Sequence, residues 1–143
     1  MTQLFFETDA PEPCPVDFRG ASDVLVHFLS LAFATRYGSL HPLSQLALLL
    51  RGEMKVDLRT LTTFADRNVE EEADRVELER VWQDAAPLAR SIAAVVRALD
   101  SGDERIAVLT EETPDLRDRL DDLRKMAEWA AERGARARLT FEL

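Results

Sequence analysis

With 143 residues, a net charge of −9 and 46% hydrophobic residues, the chain has the size and composition of one soluble globular domain. A chain of this length buries about two-thirds of its unfolded surface, so it needs no disulfide or metal to fold. Its acidity disfavours nonspecific binding to nucleic acid and to anionic membranes, and its single cysteine, Cys14, cannot close an intramolecular disulfide, which fits a reducing compartment.

Thr2 to Thr8 is short, apolar and aromatic, and reads as a strand or a packed terminal arm. It carries no basic leader and meets Glu7 and Asp9 at once, so no secretory signal is expected. Pro11, Pro13 and Pro15 then stand at every second position. Proline fixes φ and has no amide donor, so residues 1–20 are expected to form an extended arm.

Ser22 or Asp23 can cap a first helix that runs to about Tyr37 and stops at Gly38. It is apolar nearly all round, as a central core helix would be. Pro42 suits the first turn of a second apolar helix, through Leu50, with Gly52 as its stop. The two apolar runs are each too short to cross a bilayer, and the expected location is the cytoplasm.

Asp57 can cap a short third helix over Leu58 to Asp66. A long amphipathic helix is expected from about Val69 to Leu99, opened by an Asn68–Glu71 capping pair. Its inward face would carry Val76, Val81, Leu88, Ile92 and Val95, and Pro87 should kink or break it near Asp84 to Pro87. Asp103 to Glu112 reads as a short helix, with Ile106 to Thr110 also compatible with a strand. From Pro114 to Arg133 a further helix keeps a 4-3-4-3 rhythm at Leu116, Leu120, Leu123, Ala127 and Ala130, and ends at Gly134. The Asp/Arg mixture from Asp115 to Lys125 reads as its exposed face. After Gly134 the period changes to two: Ala135, Ala137, Leu139, Phe141 and Leu143 alternate with polar residues, which predicts a C-terminal strand over 135–143.

The expected fold is therefore a single, mainly α domain over 1–143: a compact bundle of five or six helices with one or two short terminal β-strands. No catalytic set is visible. The five glycines stand alone at element ends, so no phosphate loop exists. One cysteine and two histidines are thin supply for zinc, and no Glu-x-x-His motif is present for a dinuclear site. No metal ligands, cofactor or catalytic residues are assigned. Cys14 has the acidic neighbours Glu12 and Asp17, which argue against a reactive thiolate. Glu70 to Glu72 reads as a solvated helix start.

The leading functional expectation is a protein-interaction module, an adaptor, regulator or small scaffold, that self-associates as a homodimer and binds a further protein partner. It rests on the abundance of helical apolar surface and on a C-terminal strand with no obvious partner. Trp129, Leu139 and Phe141 are its candidate interface residues. A second expectation is a helical small-molecule or metal-binding protein or enzyme. Its pocket would lie between the first helix and the Pro87 kink, with Asp23, His27, Tyr37, His41 and Trp82 as the ligand-binding candidates. Asp23 and His27 are four apart and share a helix face. A third expectation is a helix-turn-helix-like regulator using Leu58 to Arg67, which the acidic charge and the long connection count against.

Overall fold

A computed structural model describes residues 1–34 and 40–143. The expectation for Tyr37 lies outside the described residues. Among the described residues there are six helices and four strands. In chain order they are β1 (Gln3–Thr8), α1 (Asp23–Ala34), α2 (Pro42–Gly52), β2 (Phe64–Asp66), α3 (Glu72–Arg80), β3 (Gln83–Asp84), α4 (Ala85–Leu99), α5 (Glu104–Leu109), α6 (Leu116–Glu132) and β4 (Arg136–Glu142). The protein is mainly helical, but the strands are more than terminal decoration. They form one sheet with β4 at its centre.

The alternation along Arg136–Glu142 is the root of this arrangement. Ala137 and Leu139 are fully buried and join the helical core, while Arg136 and Arg138 point to the other face. β1 pairs antiparallel with β4, from Gln3 opposite Glu142 to Thr8 opposite Ala137. On the opposite edge of β4 lie two short partners: β2, parallel, at Leu139 to Phe141, and β3, antiparallel, at Arg136 and Ala137. The C-terminal strand is thus paired on both edges within one chain. α1, α2, α4, α5 and α6 share a core on one face of this sheet rather than closing a bundle on themselves, and α3, which adds nothing to that core, is held by Arg138 from the other face. Leu4, Ala137 and Leu139 share a core with Phe28, Leu46, Ile92 and Leu123.

The apolar stripe of α6 is buried at Leu116, Leu120, Leu123, Ala127 and Ala130, as its rhythm requires, and it packs along α4. α1 and α2 fill the middle of the helical layer. His41 caps α2, its Nδ1 accepting from the Leu43 amide at 3.1 Å, with Pro42 at the first helical position. α5 is a helix, capped by Asp103.

Three sequence expectations are corrected. Leu58 to Asp66 is not a helix: it is a turn that leads into β2. The Thr62 amide makes one helical bond, to Leu58 O at 2.9 Å, but the turn is not continued: the Thr63 amide turns to Thr60 O, and Arg59 O accepts the Thr63 hydroxyl instead. Val69 to Leu99 breaks just before Pro87, as expected, but the break is more than a kink. The stretch divides into α3 and α4 around β3, with Pro87 in the first turn of α4, where its missing amide costs nothing. α3 buries no residue at all, and its start is organised by Asp74, which accepts from the Glu70 and Glu71 amides, rather than by Asn68. The Asp/Arg face of α6 is exposed only in part: Asp115, Asp118 and Lys125 meet solvent, but Arg119, Asp121 and Asp122 are buried, for a reason that lies in the N-terminal arm.

Candidate functional site

The arm from Asp9 to Ala21 leaves β1, runs beside it and returns to α1. Its proline spacing keeps it extended, so alternate residues fall on one side. Cys14, Val16 and Phe18 pack against the core, with Pro15 and Asp17 between them. Ion pairs hold the arm at intervals. Asp9 accepts from the Arg136 amide (2.7 Å) and guanidinium (3.1 Å), and these contacts keep its carboxyl below the usual carboxylate range. Glu12 meets Arg133 at 3.2 Å.

The third anchor is the strongest. Asp122, 2% exposed, accepts from the Arg19 amide at 3.0 Å and from Arg19 Nε at 2.6 Å, and faces Arg119 Nε at 3.1 Å. Gly20 sits so close to the Arg119 guanidinium that a Cβ there would collide with it. Beside this cluster Asp121 is ringed by Arg19, Arg117, Arg124 and Lys125. Burial pushes the Asp121 carboxyl up, but the hydrogen bond and charge of Arg124, with Arg117 and Lys125, bring it below its ordinary value. The acidic face of α6 is therefore the clamp for the arm.

Between the clamped arm and β1 lies a groove of about 950 Å³. β1 forms one wall and the arm, through Cys14, Val16 and Phe18, the other; the start of α1 and Met126 of α6 complete it. β1 is an edge strand, and the ladder fixes which of its backbone groups face the groove. The Asp9 amide donates to Arg136 O at 3.2 Å, so by two-residue alternation Gln3, Phe5 and Glu7 also bond to β4. The amides and carbonyls of Leu4, Phe6 and Thr8 point the other way. Ser22 occupies those of Leu4: its Oγ accepts from the Leu4 amide at 2.9 Å and donates to Leu4 O at 3.4 Å. Among the described residues the main-chain groups of Phe6 have no partner.

The sequence candidates scatter across the fold. Asp23 and His27 line the groove, both on exposed turns of α1. His41 is spent as a helix cap. Trp82 lies between α3 and β3, with the guanidinium of Arg138 4.6 Å and that of Arg136 5.5 Å from its ring centroid. Trp129 is half-buried under Arg133, 4.0 Å away. Phe141 meets Phe64, and Phe64 the exposed Phe33, as tilted ring pairs with centroids 5.6 and 5.7 Å apart. Leu139 has no exposed surface in this chain and so offers nothing to a partner.

Known proteins give no further guide. No family model, no curated protein and no solved structure matches the chain. Among the described residues, no group of three or more His, Cys, Asp or Glu could hold a metal ion, and no helix is long and apolar enough to cross a membrane. Groove-lining residues missed by sequence reasoning include Phe6, Cys14, Val16, Asp17, Phe18 and Met126. Their signals in the sequence are the apolar run of Thr2 to Thr8 and the proline alternation. An edge becomes visible only once β4 is known to have spent its other side on β2 and β3.

Proposed function

We propose that this protein is a protein-interaction module that takes an extended segment of its partner along the free edge of β1. The observation that carries this reading is the Phe6 main chain, which presents an unpaired donor and acceptor to an apolar-walled groove. Strand addition uses such an edge for affinity and the flanking side-chain pockets for selectivity. The case for self-association through the C-terminal strand is weaker than the sequence suggests, because β4 has strand partners on both edges within the chain.

A selection from a random-peptide library tests this. Enriched peptides should carry apolar residues at every second position and should bind the wild type. Phe6→Pro removes the donor without breaking the β4 ladder, and the exposed Ala21→Arg fills the groove from its rim. Binding should be lost in both. Peptides that bind both folded variants as well as the wild type would overturn the reading.

A second reading is favoured by the presence of Asp23 and His27 on the same groove: a small polar or aromatic ligand could be held there. Native mass spectrometry distinguishes it, since a reproducible small added mass that disappears in His27→Ala supports a ligand site and an unadorned chain does not.

A further inference from the structure

We infer that the segment docking on β1 is basic, with lysine or arginine alternating with apolar side chains. This rests on the strand-addition reading above. Four titratable side chains line the groove, Asp17, Asp23, His27 and the Cys14 thiol; Met1 with its amino group lies at one end, and no lysine or arginine is among its described lining residues. Asp17 and Asp23 have no ion-pair partner among the described residues, unlike the arm's Asp9 and Glu12, which are neutralised by Arg136 and Arg133. The nearest arm cation, Arg19, is turned away and bound to Asp118, Asp121 and Asp122 of α6. The rim therefore carries two uncompensated carboxylates over apolar walls.

A β-strand presents alternate side chains to opposite sides. An extended visitor paired with Phe6 would put one set against Val16, Phe18 and Met126, and the other toward the rim, where Asp17 and Asp23 select for cations. The same charges select against a second copy of this chain. A symmetric β1–β1 edge would bring two acidic rims together, and Ser22 already blocks each Leu4. The whole chain, at −9, adds to that repulsion.

The test uses two short synthetic peptides with identical alternating valines, one with lysine and the other with glutamate at the intervening positions. Amide shifts of Phe6, Thr8 and Val16 report the site, and anisotropy reports affinity at low and high salt. The lysine peptide should shift these amides and bind about tenfold more tightly than the glutamate peptide. The advantage should shrink at about 1 M salt, where the screening length is about 3 Å. Asp17→Asn with Asp23→Asn, both exposed, should make the two affinities converge. Equal affinities of both peptides with shifts in the groove would overturn the basic partner while leaving strand addition intact. Shifts from neither peptide would overturn both. A lysine peptide that shifts only amides elsewhere, such as Glu70 to Glu72, would overturn the inference as nonspecific charge attraction, as would a self-associated dimer that protects Phe6.

Discussion

Asp122 shows what a single residue does for the site. It is almost wholly buried and faces two guanidinium groups, and without its charge Arg119, itself buried, would be left uncompensated. Asp122→Asn should lower stability by about 3 kcal/mol, read from the denaturant midpoint, and should loosen the arm before the rest of the fold. Glu7 on the outer face of the sheet makes a pH prediction. Burial raises its pKa, but hydrogen bonds from Thr140 (2.6 Å) and Arg138, with the charges of Arg138 and Arg67, bring it below the usual 4.5. A carboxyl with a lowered native pKa contributes stability that is present above its unfolded pKa and lost as pH falls through the native one. Glu7→Gln should therefore be less stable than wild type at pH 7, and the difference should close below about pH 4.5. An unchanged gap between pH 6 and pH 3 would contradict this. Neither role was legible in the sequence. Asp121–Asp122 sits within a mixed-charge stretch of α6 whose pattern is that of a solvated face, and only the arm lying over it makes it interior.

At the scale of elements, periodicity spoke clearly where one face is buried and falsely where it is not. The stripes of α4 and α6 and the alternation of β4 are each buried on one side, so their periods of 3.6 and 2 survive into the fold. In α3, Val76 keeps a helical position yet is exposed, because the element is a charged cover over the sheet rather than a core helix. Arg138, through Leu78 O at 2.9 Å, holds it there. The Pro87 break was foreseeable, but its consequence, a strand at Gln83–Asp84, was not. Because Pro87 occupies the first turn of α4, Pro87→Ala should change stability by no more than about 0.5 kcal/mol. A gain near 3 kcal/mol would mean that the proline strains a helix interior. Gly134 joins α6 to β4 with φ of +64°. Gly134→Ala should cost about 1 kcal/mol in a denaturant melt, because an alanine pays the left-handed penalty there.

At the scale of the molecule, the decisive feature is how the sheet distributes its edges. β4 is central, β2 and β3 share one side of it, and β1 is left with an open edge opposite a tethered arm. This could not be read from the sequence, because it depends on contacts between residues more than a hundred positions apart, such as Glu7 with Arg138. The local signals were present in Thr2 to Thr8, in the prolines and in the C-terminal alternation, but not the pairing that turns them into a groove. Amide hydrogen exchange along β1 tests the central claim most directly. In the free protein the Phe5 and Glu7 amides, bonded to β4, should exchange slowly and the Phe6 amide quickly. Adding a library-selected peptide should protect Phe6 and leave Phe5 and Glu7 as they were. A Phe6 amide already protected in the free protein, or left unprotected by a bound peptide, would contradict the account.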